Sequence, residues 1–421
     1  MNSLNTLDEK VDDYRLQGRY HPDYSQVAEQ FVDNFRARGE VGASVCVRIG
    51  DQTVVDLWGG FAEPDSQTPW QKDTVSVVFS CTKAATALCA HRLIDQGLLE
   101  LNAPVSRYWP EFAQAGKEQV TVAMMLNHSA GVPAFRESIK AGGYYDWAYM
   151  IERLEQEEPF WPPGTSSGYH MLSFGWTVGE LVRRVSGLSL GQFFHEQIAA
   201  PLGLDFWIGL PESINPAIAP ILAAPPETEP PVSDFVQAVI SDPQSISHLA
   251  LFNSGGHGAN HPDAHRAEIG GAGGISNARS LSRMFQPLAN GGVIHESKTD
   301  SDEPLFSDTA IARMGEVSSA TQWDATLLRP TRFALGFMKS MDNRQCKPGN
   351  TESFIIGDRA FGHVGAGGST GFADPDARLA FGYSMNQMGQ GVLLNDRGQS
   401  LVDATYRSLG YRDNLPGFWR R

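Results

Sequence analysis

The sequence has little positive charge. Of its 421 residues 33 are lysine or arginine, against 48 aspartate and glutamate, which gives a formal net charge of −15 at pH 7. A chain this acidic repels phosphate backbones and anionic lipid headgroups, and no cluster of lysine and arginine reverses the sign locally. We therefore expect neither a nucleic-acid partner nor a membrane partner.

Cysteine is scarce as well. The four cysteines are widely scattered, at Cys46, Cys81, Cys89 and Cys346, and no two of them form a Cys-x-x-Cys pair. Disulfide frameworks are typical of short chains that are dense in cysteine, which this chain is not. The sequence thus predicts reduced thiols and no disulfide framework.

Long apolar runs are also absent. The first twenty residues carry acidic side chains where a signal peptide needs a basic start followed by an apolar stretch. No later segment reaches the length that a membrane-spanning helix requires. With 41% hydrophobic and 19% charged residues, the composition is that of a globular protein. We expect a soluble, cytoplasmic protein, and its oligomeric state stays open.

Hydrophobic periodicity predicts an α/β fold built from both ends of the chain. Strand patterns lie near the two ends, and the region between them is mainly helical. The predicted elements are a helix at 25–38, strands at 42–49 and 53–58, helices at 80–96, 172–185 and 281–289, strands at 353–356, 360–364 and 379–385, and a helix at 400–409. We predict an α/β lobe from residues 1–85 and 326–421, a mostly helical lobe from residues 86–325, and an active site in the cleft between them.

The strongest chemical signal is Ser80 followed three residues later by Lys83, at the start of the predicted helix 80–96. This separation places a hydroxyl and an amine on one helical face. A serine hydroxyl is a weak nucleophile at neutral pH, so a neighbouring amine, or a base held by it, must take its proton. Unpaired N–H groups at a helix start can also stabilise an oxyanion. The spacing alone leaves a surface lysine beside a capping serine as the alternative.

Downstream segments resemble further signatures of the serine β-lactamase and penicillin-binding superfamily, in that family's order. They are MMLNHSAGVP at 124–133, similar to LLxHTSGLP; PGTSSGYH at 163–170, similar to the tyrosine region of class C enzymes; GAGGISNAR at 271–279, similar to AGGLxSTAxD; and GHVGAGG at 362–368, similar to the GHTG variant of the K-T-G strand. The resemblance covers about residues 20–410 and implies the class C fold, an antiparallel sheet flanked by helices with a mostly helical inserted lobe.

The resemblance also implies roles for single residues. Ser80 would be the nucleophile, Lys83 its hydrogen-bonded activator, and Tyr169 the general base that later protonates the leaving group. A tyrosine serves as a base at neutral pH only if a cation such as Lys83 favours its phenolate or shares its proton. Gly365 would permit close backbone approach, and the N–H of Ala366 would form the oxyanion hole with that of Ser80.

Two positions depart from the lactam-hydrolysing pattern. Met171 stands where a Tyr-x-Asn motif has its asparagine, so the amide that contacts a lactam's side-chain amide is missing. His363 replaces the lysine of the third motif, where it could donate a hydrogen bond to substrate or orient Tyr169, or be a histidine of the core. In both respects the chain is similar to the family VIII carboxylesterases.

These features predict a cofactor-free serine hydrolase, most similar to a carboxylesterase for small or aryl esters. A β-lactamase or D-amino-acid peptidase would use the same three residues on a lactam or peptide substrate. An acyltransferase would pass the acyl group to an alcohol or amine. A non-catalytic ligand-binding homologue would have the same three residues, but not in a catalytic arrangement. All three remain alternatives.

A second serine motif is disfavoured by its surroundings. Residues 367–371, GGSTG, satisfy the G-x-S-x-G pattern of α/β-hydrolases around Ser369. That nucleophile elbow needs a strand before it and a helix after it, whereas a strand pattern follows here. No histidine follows His363 in the chain either.

Three histidines are spaced by four residues, at His257, His261 and His265. On a continuous helix this spacing aligns three imidazoles as for a metal. Gly258 and Pro262 interrupt such a helix, so we predict a polar loop and no metal site.

Overall fold

An antiparallel sheet takes its strands from both ends of the chain in the computed structural model, which describes residues 3–225, 232–293 and 304–421. The strands are β1 (Asn5–Val11), β2 (Tyr14–Tyr20), β3 (Gly42–Ile49), β4 (Gln52–Glu63), β5 (Thr68–Pro69), β6 (Ser76–Val77), β7 (Ile275–Ser276), β8 (Ser319–Thr321), β9 (Thr331–Phe333), β10 (Phe361–Val364), β11 (Thr370–Asp374) and β12 (Leu379–Met385). The main sheet has the order β1-β2-β4-β3-β12-β11-β10, with β5 paired to β4. The β3–β12 pairing joins the two ends and confirms the predicted fold class.

Helices pack on both faces of this sheet, and further helices lie between its two groups of strands. They are α1 (Ser25–Ala37), α2 (Cys81–Asp95), α3 (Val122–Leu126), α4 (Trp147–Gln156), α5 (Phe174–Ser186), α6 (Leu190–Phe194), α7 (Ala200–Leu202), α8 (Asp234–Ser241), α9 (Ile246–Phe252), α10 (Pro262–Arg266), α11 (Ala278–Ala289), α12 (Asp308–Gly315) and α13 (Asp396–Ser408). Among the described residues, none of the helices has both the length and the apolar character needed to cross a bilayer.

Successive side chains of β12 point to opposite faces of the sheet, and each face packs against different helices. Phe381 and Tyr383 pack in the cluster that includes residues of α1 and α13. On the other face, a Cβ at Gly382 would lie 2.2 Å from the Ala278 carbonyl oxygen, so only a glycine lets α11 approach this closely. Helix α11 thus packs on the sheet, although it lies within the 86–325 range predicted for the helical lobe; that lobe boundary stays a prediction.

Helix α2 lies at the centre of the molecule. Twelve of its residues are buried, and the face toward the core carries small side chains such as Ala84, Ala87 and Ala90. A helix buried on nearly all sides packs through small residues, because its neighbours must approach closely. The rigid surroundings fix the residue at its N-terminus, Ser80.

Two regions differ from the predicted elements. The acidic N-terminus forms the hairpin β1–β2, in which Leu7, Val11 and Leu16 are buried while charged residues face outward. The predicted strand at 353–356 is wrong: the run is buried, but its backbone pairs only through single bridges. The side chain of Gln399 takes the place of a neighbouring strand there. Its amide accepts a hydrogen bond from the Ile355 N–H and donates one to the Ile355 carbonyl oxygen.

Candidate active site

Ser80 stands at the N-terminus of α2, directly after a residue with unusual backbone geometry. Phe79 has φ of +44°, in the left-handed region that bulky residues rarely adopt. The Thr82 hydroxyl donates a 2.5 Å hydrogen bond to the Phe79 carbonyl oxygen and accepts one from the Gly274 N–H at 2.9 Å. Such strain persists where surrounding contacts impose it, as at many functional sites. The turn therefore holds Ser80 in a fixed position.

Lys83 reaches Ser80 from one turn further along α2. Its Nζ lies 3.1 Å from Ser80 Oγ, and it donates to the carbonyl oxygens of Met171 at 2.6 Å and Gly271 at 2.7 Å. The side chain is fully buried, and this burial lowers the pKa of the amine well below its usual value. A neutral amine has two N–H bonds and one lone pair. With both N–H bonds engaged by carbonyls, the lone pair is left to accept the Ser80 proton.

Tyr169 completes the cluster of three predicted catalytic residues. Its ring centroid lies 4.7 Å from Lys83 Nζ and stacks on Phe333 at 5.7 Å. Burial raises the pKa of the phenol more than the influence of the Ser80 side chain lowers it, and the hydroxyl has no partner of ordinary hydrogen-bond geometry among the described residues. Both pKa directions favour the uncharged forms, the phenol of Tyr169 and the amine of Lys83. Of the two arrangements that the sequence left open, a phenolate favoured by Lys83 or a proton shared between the two groups, these directions agree better with the second.

Asp324 fixes the backbone of Tyr169, a role that the sequence did not indicate. Its two carboxylate oxygens accept hydrogen bonds from the Tyr169 N–H at 3.0 and 3.1 Å. The same carboxylate accepts from the N–H groups of Thr326 and Leu327 and from the Thr331 hydroxyl. Asp324 is fully buried, and so many donors satisfy a buried carboxylate. We infer that it positions the tyrosine segment.

Two buried histidines frame the same segment. The His170 N–H donates to His128 Nδ1 at 3.2 Å, and the His128 ring lies 5.0 Å from that of Tyr169. His170 Nε2 accepts from the Val132 N–H at 3.2 Å, while its Nδ1 lies 2.7 Å from the Gly168 carbonyl oxygen. A backbone N–H only donates and a carbonyl only accepts, so His170 carries its proton on Nδ1. Burial lowers the pKa of both imidazoles, which are therefore neutral.

His363 lies on β10 with its ring 6.0 Å from that of Tyr169. Its Nδ1 is 2.8 Å from the Val364 carbonyl oxygen and must donate the proton of that bond. Burial lowers the pKa of His363 to about 3, so the ring is neutral. In this tautomer of the neutral ring, Nε2 carries no proton and can only accept a hydrogen bond. Donation to substrate, one of the two expected roles, would require a different protonation state.

Gly365 and Ala366 lie beside the segment that carries the nucleophile. A Cβ at Gly365 would be 2.4 Å from the Val78 carbonyl oxygen, so no other residue fits at this crossing. Within the described chain, the main-chain N–H groups of Ser80 and Ala366 donate no hydrogen bond. Free N–H groups of this kind are what an oxyanion requires.

Two half-buried apolar side chains lie next to the residues that carry these N–H groups. Phe79 directly precedes Ser80, and both Phe79 and Met388 pack against one hydrophobic cluster. Met388 also contacts the turn after Ala366, since a Cβ at Gly367 would meet its backbone at 2.9 Å. Half-buried apolar side chains beside a nucleophile suit an apolar ligand group. Their dispersed sequence positions carry no motif that would have indicated them.

Ser369 is not placed with catalytic groups. Its side chain is fully buried, and its hydroxyl has no hydrogen-bond partner among the described residues. Strand β11 begins at the next residue, Thr370, so the strand that followed Ser369 in the sequence pattern is present and an elbow helix is not. These observations disfavour a nucleophile elbow.

The three spaced histidines contact other groups and do not converge on one point. His265 Nε2 lies 2.9 Å from the Ala259 carbonyl oxygen, and His261 Nδ1 accepts from the Asp263 N–H at the start of α10. His257 contacts the ring of Tyr145. Over the ranges that the structure describes, no group of three or more His, Cys, Asp or Glu side chains is placed to hold a metal ion.

Activity is expected to survive both a chelator and a thiol reductant, because the site described above uses no metal ligand and the four cysteines are unpaired. The measurement compares ester hydrolysis after dialysis against a strong chelator, after reductant, and in buffer alone. Loss of activity in the chelator that zinc restores would contradict this expectation. Replacing His257 with alanine would then show whether the histidine loop holds the metal.

Comparisons with known proteins show which sequences and folds this chain is similar to. The sequence model of the family described as Beta-lactamase matches residues 28–404. "Esterase/beta-lactamase LipL" of Mycobacterium tuberculosis is 34% identical over 393 residues, which span 91% of this chain and 85% of that protein. The crystal structure of a family VIII carboxylesterase superposes with a TM-score of 0.79 at 36% identity, covering 93% of this chain and 99% of that one. A penicillin-binding protein homologue from Caulobacter crescentus has a TM-score of 0.81 at 33% identity, with coverage of 93% and 99%.

Proposed function

Because this chain belongs to the β-lactamase family, we propose that it is a serine carboxylesterase that forms its acyl-enzyme on Ser80. The observation that carries the proposal is the contact of Lys83 Nζ with Ser80 Oγ, made by an amine whose two other hydrogen-bond partners are both carbonyls. The relative named an esterase and the family VIII carboxylesterase structure support the reaction class. A cytoplasmic location remains part of the proposal.

Acylation follows from the positions of these groups. Ser80 Oγ attacks the ester carbonyl carbon while its proton passes to the Lys83 amine, and the N–H groups of Ser80 and Ala366 bind the carbonyl oxygen as it becomes an oxyanion. When the intermediate collapses, the Tyr169 phenol gives its proton to the departing alkoxide. The ammonium of Lys83 then returns a proton to the phenolate, so the pair regains its starting state.

Deacylation reverses these transfers with water in place of the alcohol. Water attacks the acyl carbon, and one of its protons passes to the Lys83 amine, directly or through the Tyr169 hydroxyl. Collapse of the second tetrahedral intermediate breaks the bond to Ser80 Oγ, which recovers a proton from Lys83. The products are a carboxylic acid and free enzyme.

The substrate class follows from what surrounds the nucleophile. The half-buried side chains of Phe79, next to Ser80, and Met388, in contact with Gly367, suit an alkyl or aryl group. Met171 provides its carbonyl to Lys83 but no side-chain amide to a substrate. We therefore assign small neutral or aryl esters.

Covalent trapping tests the proposal directly. A fluorophosphonate should add once per chain, and peptide mapping should place the adduct on Ser80. The matched control is Ser369→Ala, which removes a serine that lies near Ala366 in the sequence but is fully buried; this variant should be labelled like the natural chain. An adduct on Ser369, or none at all, would contradict the assignment.

Ester hydrolysis should exceed β-lactam hydrolysis in catalytic efficiency. Sites without a partner for a polar group of the substrate bind that group poorly, and Met171 offers no side-chain amide. The neutral imidazole of His363 also lacks the ammonium charge that would attract the carboxylate of a penicillin or cephalosporin. The measurement compares kcat/KM for p-nitrophenyl butyrate and a chromogenic cephalosporin. A higher value for the cephalosporin would overturn the substrate assignment but leave Ser80 as the nucleophile.

The dependence of kcat/KM on pH should have an acid limb and no basic limb below about pH 9. The competent state has a neutral Lys83 and a protonated Tyr169. Activity is lost as falling pH protonates Lys83, whose pKa lies below the ordinary 10.5, and as rising pH ionises Tyr169, whose pKa lies above the ordinary 10.0. Rates with a neutral ester between about pH 5 and pH 9 measure this profile. A fall between neutrality and about pH 9 would indicate that the phenol ionises there, against the proposed proton positions.

A further inference from the structure

The turn that carries Ala366 is rich in glycine and depends on contacts from outside. Within residues 365–369, the Gly368 N–H donates to the Gly365 carbonyl oxygen at 3.0 Å. Gly367 and Gly368 have φ of +83° and +123°, in backbone regions that glycine enters freely and other residues rarely adopt. Because a turn of this composition has few side chains to fix it, its external contacts decide how firmly it is held.

Asn395, at the N-terminus of α13, makes such a contact. Its Nδ2 donates to the Gly367 carbonyl oxygen at 2.7 Å, and its Oδ1 accepts from the Gly398 N–H at 3.2 Å. The second bond fixes which end of the amide faces the turn, because only Oδ1 can accept. The packing is close as well, since a Cβ at Gly368 would lie 2.4 Å from Asn395 Nδ2. Asn395 thus ties the glycine-rich turn to the first turn of α13.

A chain of hydrogen bonds leads from Asn395 to the Ala366 N–H. The Gly367 carbonyl and the Gly368 N–H belong to one planar peptide unit, so holding the carbonyl also orients the N–H. That N–H donates to the Gly365 carbonyl oxygen, which shares its own peptide unit with the Ala366 N–H. Each bond in such a chain polarises the next, which makes the last N–H a stronger donor. The Asn395 amide therefore acts on both the direction and the strength of that donor.

We propose that Asn395 is a positioning residue of the oxyanion hole, which holds the Ala366 N–H in place through these two peptide units. The inference rests on the proposed function, in which the N–H groups of Ser80 and Ala366 bind the oxyanion. In this role Asn395 stabilises the tetrahedral state more than the bound ester, because the oxyanion exists only there. Its amide thereby has a task beyond capping α13, which a serine would cap about equally well.

Asn395→Ser separates the two tasks of this side chain. The serine hydroxyl can still cap α13, but its oxygen lies one bond nearer the backbone than the amide nitrogen, so the donor to the Gly367 carbonyl is lost. We expect kcat/KM for p-nitrophenyl butyrate, which reports acylation, to fall about tenfold while the fold is kept. The loss is smaller than for a direct oxyanion donor, because the Gly389 N–H still donates to the same carbonyl oxygen.

The matched control is Asn34→Ser. Asn34 Nδ2 also donates to a main-chain carbonyl at the start of α13, that of Arg397, at 3.2 Å. The same substitution therefore removes an amide donor to this helix and leaves the bonds of the turn at 365–369 in place. It should lower the thermal stability and leave kcat/KM unchanged.

A second readout is specific for the oxyanion. Each variant is assayed with the butyrate ester and with its thionoester, in which sulfur replaces the carbonyl oxygen. Sulfur is a weak hydrogen-bond acceptor, so the ratio of the two rates reports how much the oxyanion hole contributes. The ratio should fall severalfold in Asn395→Ser and stay unchanged in Asn34→Ser. A substitution that only displaced Ser80 or Lys83 would slow both substrates alike.

An unchanged kcat/KM or an unchanged ratio in Asn395→Ser would overturn the proposal, and so would an equal loss in Asn34→Ser. Asn395→Asp decides the matter if the serine variant does not fold, because a carboxylate caps a helix as well as an amide and cannot donate to the Gly367 carbonyl. The ratio should fall in that variant too. Failure of the proposed function is a different result, since a fluorophosphonate would then not label Ser80 even in the natural chain.

Discussion

Replacing Ser80 with alanine is expected to lower kcat for aryl ester hydrolysis by at least about 10⁴-fold, because the acyl-enzyme then cannot form. The substitution removes one oxygen at the start of α2 and leaves the Lys83 contacts with the Met171 and Gly271 carbonyls in place. Fold and stability should therefore be nearly unchanged. Steady-state rates with p-nitrophenyl butyrate measure the loss, and circular dichroism checks the fold.

The matched variant for this experiment is again Ser369→Ala. Its hydroxyl is buried without a partner, so its removal should leave turnover close to that of the natural chain. The reverse pattern, an active Ser80→Ala and an inactive Ser369→Ala, would assign the chemistry to the glycine-rich turn. A well-folded Ser80→Ala that keeps full turnover would refute the acyl-enzyme on Ser80.

Lys83→Met and Tyr169→Phe should each reduce kcat by about 10²- to 10⁴-fold, and the double variant should be little worse than the poorer single variant. The reason is that the proton from Ser80 passes to Lys83 and the leaving group takes one from Tyr169, so the two residues complete one transfer. If either residue is missing, the other cannot complete the proton transfer from Ser80 to the leaving group. A double-mutant cycle on kcat measures the coupling.

Losses that multiply in the double variant would show that the two residues act independently. The fold must be checked for both variants, because Lys83 also bonds the backbone of two distant segments, at Met171 and Gly271. Lys83→Arg offers a further comparison. A guanidinium stays protonated and cannot accept a proton, so activity should not recover if Lys83 is the base.

The sequence predicted the local part of this site well. The contact between Ser80 and Lys83 follows from helical spacing, and the structure gives the expected geometry at 3.1 Å. The position of Tyr169 beside them depended on resemblance to a family, because it involves a loop far along the chain. Periodicity alone contains no information about such long-range neighbours.

Other features could not be predicted from local patterns. Asp324 bonds the Tyr169 N–H across 155 residues of sequence, and no spacing rule marks it. The proton positions depend on how completely Lys83 and Tyr169 are buried, which only the packed structure determines. The run at 353–356 was predicted as a strand because apolar residues are buried both in strands and in irregular segments. Here the backbone of Ile355 bonds the side-chain amide of Gln399 and not a neighbouring strand.

The pairing of β3 with β12 also has a consequence for how the protein is made. Seven of the eight residues of β3 are buried. One of its edges pairs with β12, which lies near the far end of the chain. During translation β3 and β4 can form a hairpin early, but the open edge of β3 stays available to other chains until β12 has left the ribosome. Contacts this distant in sequence slow folding and prolong that exposure. Aggregation of the nascent chain, and its dependence on chaperones, should thus be governed by the β3 edge.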